Sequence, residues 1–178
     1  KIVAVSKTFS LEKILPLVDY GHLDYGENKV QEAVEKWTDV KNQNNKINLH
    51  LIGRLQTNKV KFAVKIFDYI HSLDNEKLAK KISDEQQKQN KKPKIFIQIN
   101  LGEEDQKSGI LINDLIEFYN YSKNLNLNII GLMCIPPFNE DSTKFFQKMS
   151  ELNEKINQKE LSMGMSSDYM KAVEYKST

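Results

Sequence analysis

The chain has one cysteine in 178 residues, Cys134. A lone thiol excludes an internal disulfide and suits a reducing compartment, so a cytoplasmic location is expected. Long apolar runs are also lacking: none approaches the roughly 20 residues that span a bilayer. No charged-then-apolar leader opens the sequence, so neither a membrane partner nor export is expected. Charge of one sign is scarce too, since 26 Lys and Arg against 24 Asp and Glu leave a net +2. That balance is too mild for a nucleic-acid stripe, and Lys59, Lys61 and Lys65 read as a solvated helix face. No Gly/Ser/Pro-rich linker divides the chain, so residues 1–178 form a single domain. A glycine-rich phosphate loop after the first strand is absent, which weighs against an open doubly wound sheet.

What is present is alternation. Strand-like apolar runs at 2–6, 23–26, 47–52, 69–72, 94–100, 128–135 and 161–165 are separated by segments with apolar residues three or four apart. Those segments, 11–18, 30–37, 60–67, 76–89, 111–122, 143–156 and 169–175, predict helices, with Asn75 and Asp141 at N-cap positions. Strand then helix, repeated, predicts an α/β fold with parallel strands, and we expect a (β/α)8 TIM-type barrel. Both ends look trimmed: the chain opens inside a strand pattern, and an eighth strand is expected just beyond Thr178.

Barrel sites lie at the C-terminal ends of the strands. The first strand ends at Lys7. A lysine ammonium is costly to desolvate, so burial there would favour the neutral amine, a nucleophile suited to Schiff-base formation with an aldehyde. A strand-end lysine also commonly snorkels to solvent. The seventh strand runs Leu161-Ser162-Met163-Gly164-Met165-Ser166. Gly164 would let backbone approach a ligand, and Ser166, Ser167 and Asp168 would open a helix whose N–H groups receive an anion. Ser177 and Thr178 would add hydroxyls from the start of the eighth strand. A lysine facing a phosphate cradle implies a phosphorylated aldehyde, of which pyridoxal 5′-phosphate is the common one.

Several blocks occur in order: Ala4-Val5-Ser6-Lys7-Thr8, Tyr25-Gly26-Glu27-Asn28, His50-Leu51-Ile52-Gly53-Arg54-Leu55-Gln56-Thr57-Asn58-Lys59, Ile70-His71-Ser72-Leu73-Asp74, Lys107-Ser108-Gly109, Gly131-Leu132-Met133 and the Leu-Ser-Met-Gly-Met-Ser run. Together they resemble the pyridoxal phosphate homeostasis protein family, whose fold resembles the barrel domain of alanine racemase. The resemblance implies that Lys7 carries the cofactor as a Schiff base. It implies Asn28 near the ring, and Ser162, Met163, Gly164, Met165, Ser166, Ser177 and Thr178 around the phosphate. Family members have a helix before the first strand and a glycine where this chain has Lys176. An arginine near the pyridine nitrogen has no counterpart in these residues.

Function stays open between three readings. The first is a carrier or buffer of pyridoxal phosphate in vitamin B6 homeostasis and amino-acid balance, without turnover, a monomer that hands cofactor to apo-enzymes. The second is a pyridoxal-phosphate-dependent amino-acid racemase or decarboxylase, which needs another acid–base group; Tyr25 or Tyr69 would have to face the cofactor. In the third, Lys7 merely clamps some other phosphorylated metabolite. His50 and His71 read as satisfied barrel histidines rather than metal ligands, Cys134 as a small core residue, and Glu27 with Asp74 as a weak acid–base candidate.

Overall fold

The computed structural model describes residues 1–102, 108–137 and 140–178. Strands and helices alternate along it: β1 (Ala4–Val5), α1 (Leu11–Asp19), β2 (Asp24–Glu27), α2 (Val30–Gln43), β3 (Asn48–Leu51), α3 (Val60–Ile66), β4 (Tyr69–Leu73), α4 (Glu76–Gln89), β5 (Lys94–Gln98), α5 (Leu115–Asn124), β6 (Asn128–Met133), α6 (Ser142–Lys155), β7 (Glu160–Ser162) and α7 (Tyr169–Glu174). Single 3₁₀ turns, Thr57–Lys59 and Ile112–Asp114, lead into α3 and α5.

All the strand pairs are parallel, and the order in the sheet is the order in the chain, β1 to β7. A doubly wound sheet reverses its order at a switch point. Here nothing reverses, so every crossover helix lies on the same face and the sheet curls as in a (β/α)8 barrel. Thr178 lies at the seam. Its N–H donates to the Leu161 carbonyl of β7 at 3.0 Å, and its own carbonyl accepts from the Lys1 backbone nitrogen. Ser177-Thr178 therefore occupies the eighth-strand position beside β7, where the sequence places it.

Strand alternation separates two interiors. Leu49, Leu51, Ile70, Ile95, Ile97 and Leu161 turn outward and pack with Trp37, Val64, Leu78, Ile82, Phe146 and Met149 of the helices. Their in-between neighbours, Tyr69, Phe96 and Met133, form a separate small cluster inside the curl.

The helix caps follow sequence. Asn75 Oδ1 accepts from Leu78 N at 2.9 Å and Asp141 Oδ1 from Thr143 N at 3.2 Å. Several boundaries differ from expectation, among them those of β1 and α2. β1 is two residues rather than 2–6, because as an edge strand it pairs only with β2. α2 continues past Trp37 to Gln43, held by Val40, which is buried although its neighbours are polar.

Candidate functional site

The C-terminal end of β1 is fixed by a buried charge cluster. Glu27, fully buried at the end of β2, accepts through Oε1 from Ser6 Oγ (2.7 Å), Lys36 Nζ (2.9 Å) and Trp37 Nε1 (2.9 Å). Its other oxygen, Oε2, is buried without a hydrogen-bond partner. Lys36 Nζ also donates to the Ser6 carbonyl at 3.0 Å and to Glu32 at 3.1 Å, and Glu32 accepts from Thr8 N at 3.1 Å. These contacts hold Glu32 ionised below the ordinary carboxylate range, Lys36 first and the Thr8 amide second. The residues on both sides of Lys7 are thus clamped to α2.

Lys7 itself is exposed. This corrects the expectation of a lysine desolvated at the tip of a buried strand. β1 ends at Val5, and Lys7 falls in the following turn, where Thr8 adopts a left-handed φ of 66°. The protein presents the amine at the rim instead of burying it.

Asn28 follows β2 at the same edge, in a bend before α2. A Cβ on Gly53 would sit 2.3 Å from the Asn28 carbonyl oxygen, so glycine is what lets the loop after β3 close on Asn28. Across the sheet, Ser162 ends β7, Met163 is buried in the outer core, and Met165 and Ser166 are exposed. Gly164 has φ +93°, and a Cβ there would meet Ala172 Cβ at 2.7 Å. The glycine lets α7 seat against the end of β7. The helix begins at Tyr169, as the periodicity predicts, with Ser166, Ser167 and Asp168 in the turn before it, and the Asp168 carboxylate takes the Met165 N–H at 2.7 Å. Ser177 Oγ donates to the Met163 carbonyl at 2.7 Å, and Thr178 Oγ1 accepts from Leu161 N at 3.0 Å. The topology thus gathers Lys7, Asn28 and Ser162 to Ser166 at one edge of the sheet, while the Ser177 and Thr178 hydroxyls close the seam. Lys107 lies outside the described residues.

The sequence did not show what fills the curl. Asp24, His50, His71 and Ser162 form a continuous line: Asp24 Oδ1 to His50 Nε2 at 3.1 Å, His50 Nδ1 to His71 Nε2 at 2.9 Å, His71 Nδ1 to Ser162 Oγ at 2.7 Å. Asn48 Nδ2 also donates to Asp24 Oδ1 at 3.1 Å. Tyr69 stacks on His50 with ring centroids 4.1 Å apart, and Phe96 stacks on His71 at 4.5 Å. Burial pushes His50 below the usual imidazole range, opposed by its bond to Asp24. Burial, then the neighbouring His50, pushes His71 well below it. The histidines satisfy each other, and Asp24 joins them although no spacing in the sequence links the three.

Other candidates are placed elsewhere. Tyr25 packs against Trp37 on the helix side, ring centroids 4.7 Å apart, with its hydroxyl buried and unpartnered. Tyr69 begins β4, and its hydroxyl accepts from Lys94 Nζ at 2.9 Å, at the end of the sheet opposite the rim. Glu27 is committed to Lys36, so it does not pair with Asp74. Cys134 is buried and its thiol is pushed up to about 12 by burial, the chemistry of a core residue. Among the described residues no group of three or more His, Cys, Asp or Glu side chains could hold a metal ion, and no helix is long and apolar enough to cross a membrane.

Comparison with known proteins identifies the fold and the family. Residues 1–178 match the family model described as alanine racemase, N-terminal domain. The pyridoxal phosphate homeostasis protein of Aquifex aeolicus is 38% identical over 184 residues, covering 98% of this chain and 80% of that protein. PipY of Synechococcus elongatus PCC7942, solved with PLP bound, superposes with a TM-score of 0.92 at 31% identity, covering 100% of this chain and 87% of that one. Alanine racemase of Clostridium difficile 630 shares the fold alone, with a TM-score of 0.74 at 14% identity over 96% of this chain and 47% of that one. A parallel curled sheet, matched over all or nearly all of its length by the family model and these relatives, places this chain in the pyridoxal phosphate homeostasis protein family, built on the alanine racemase N-terminal domain.

Proposed function

We propose that this chain binds pyridoxal 5′-phosphate through Lys7 and carries or buffers it, without turnover of its own. The observation that carries the reading is the presentation of Lys7. Its flanking residues are locked by Glu27, Lys36 and Glu32, while its own side chain is exposed at the rim. The donor set fits the cofactor: an accessible amine suits the aldehyde, and hydroxyls at Ser162 and Ser166 suit the phosphate. When bound, the cofactor supplies an aldehyde carbon for attachment and an electron-withdrawing ring. Lys7 supplies the attachment point, Asn28 lies beside the ring, and the β7 rim residues orient the phosphate. PipY, a relative solved with PLP bound, supports the choice of cofactor.

The placement of the tyrosines supports a carrier over a racemase or decarboxylase. Proton abstraction from an amino acid needs a second group at the reacting carbon. Tyr25 is packed under α2, and the Tyr69 hydroxyl is held by Lys94 at the far end of the sheet. An exposed attachment lysine also suits exchange with apo-enzymes that receive the cofactor. We read the protein as a cytoplasmic monomer, in keeping with its single buried thiol.

Absorption spectroscopy tests the assignment. The loaded protein is expected to show a visible yellow band that borohydride abolishes, and Lys7→Ala to lack it. An unchanged band in Lys7→Ala sinks the assignment. Incubation of the loaded protein with single-enantiomer amino acids is expected to give no sustained racemisation or CO2 release; enzyme-like rates of either would restore the catalytic reading.

A further inference from the structure

We infer that Asp24, His50 and His71 form a proton relay that decides what the Ser162 hydroxyl offers to an anion at the rim, and so selects a phosphate monoester over an anion that carries no proton. The inference rests on the reading above in one respect, that the anion is the phosphate of pyridoxal 5′-phosphate.

The direction of the line follows from its inner end. A carboxylate only accepts, so His50 donates from Nε2 to Asp24 Oδ1 at 3.1 Å. Neutral His50 then accepts at Nδ1, which requires His71 to donate from Nε2 at 2.9 Å. Neutral His71 accepts at Nδ1, which requires the Ser162 O–H to donate inward at 2.7 Å. Ser162 ends β7 at the rim, and in this state it shows the rim only lone pairs. An anion without a proton meets those lone pairs and is repelled. If Ser162 simply turned its O–H outward, His71 Nδ1 would be left as a buried acceptor without a partner.

A phosphate monoanion avoids both outcomes. Ser162 Oγ accepts its proton and passes its own proton to His71 Nδ1, while His71 passes its Nε2 proton to His50 Nδ1. One proton has left the phosphate and one has arrived on His50. Ser162 now donates to a dianion, a charge-assisted bond, and the His50 imidazolium lies against the Asp24 carboxylate. The second ionisation of a phosphate monoester lies near ~6, so the donating monoanion is accessible around neutrality.

The surroundings of the relay suit this. Around His50 are Asp24 from β2, Tyr69 and His71 from β4, and the charges of Lys1 and Asp68. Around His71 are His50, Ser162 from β7 and the Phe96 ring from β5. Burial keeps both imidazoles neutral at rest and opposes their protonation, and it is the Asp24 carboxylate that favours a charge arriving on His50.

Nitrogen-15 NMR of the histidine rings tests the relay, with titration by pyridoxal 5′-phosphate and by pyridoxal, which lacks the phosphate. Before addition, both rings are expected to carry their proton on Nε2. With the phosphate form, His50 gains a second ring proton and the His71 proton moves to Nδ1; with pyridoxal neither ring changes. Unchanged rings while the visible band shows Lys7 occupied overturn the relay. If no band forms, the cofactor reading has failed instead, and inorganic phosphate against sulfate decides the relay: only phosphate should protonate His50, and no change with phosphate overturns it. Asp24→Asn removes the charge that steadies the imidazolium. It should weaken pyridoxal 5′-phosphate about tenfold and spare pyridoxal; equal effects on the two also overturn the proposal.

Discussion

The two faces of the sheet each hold a carboxylate, Glu27 fully buried and Asp24 partly so, and treat it differently. On the outer face Glu27 lies among apolar side chains and is met by an ammonium, an indole N–H and a hydroxyl, all on one oxygen. Inside the curl Asp24 is met by an amide and a histidine that burial keeps neutral. The first arrangement is static: a buried ion pair has low energy only when both charges stay. The second can change its protonation without breaking a hydrogen bond. Fixing a backbone suits the first, and responding to an anion suits the second.

The largest test of the contrast is Lys36→Met. It keeps the stem volume and leaves Glu27 as an uncompensated buried charge, with Oε2 already unpartnered. A loss of about 3–5 kcal/mol is expected in urea unfolding. Adding Glu27→Gln should restore much of it, since the pair is then neutral. A single-variant loss under about 1 kcal/mol would erase the distinction between the two faces. The same variant frees the Ser6 carbonyl, so it should also broaden the environment of Lys7.

A smaller effect reads the inner face through pH. The folded pKa values of His50 and His71 are lowered by burial, whereas an unfolded imidazole titrates near ~6.5. Below that value the unfolded chain binds more protons than the folded one. Stability present above about pH 6.5 is therefore lost as pH falls, by about 1.4 kcal/mol per pH unit for each imidazole until its folded pKa is reached. Urea midpoints at pH 7.5 and 5.5 measure this, and His71→Gln should roughly halve the slope. A slope that His71→Gln leaves unchanged would mean that the inner line is not what titrates.

The sequence made the outer layer more legible than the inner one. Helix periodicity delimits α4 at Glu76–Gln89, and strand alternation with crossover helices gives the barrel order. The end of β1 marks Lys7, and the Leu161 to Ser166 run marks the opposite rim. Burial of Lys7 could not be read, because it depends on where β1 stops, and its pairing with β2 ends at Val5 opposite Gly26. The inner line was hidden for another reason. Its members come from four strands, and the His71–Ser162 contact spans 91 residues. One signal was present: His50 sits between Leu49 and Leu51, so alternation turns it inward when its neighbours face the helices.

The smallest test lies at the seam, where neither face dominates. Lys176 follows α7 with φ 69°, a left-handed conformation that costs a residue with a Cβ about 1–2 kcal/mol and glycine nothing. The chain tolerates it because the Lys176 N–H closes on the Val173 carbonyl at 3.0 Å and the next residue carries the seam through Ser177 Oγ and the Met163 carbonyl. Lys176→Gly relieves the backbone but loses the exposed pair with Glu154 at 2.6 Å, worth about 0.2–1 kcal/mol, and adds freedom to the unfolded chain. A net gain of about 0.5 kcal/mol is expected, a rise of about 1–2 °C in Tm. A loss on this substitution would show that the lysine side chain, and not the turn, holds the seam beside β7.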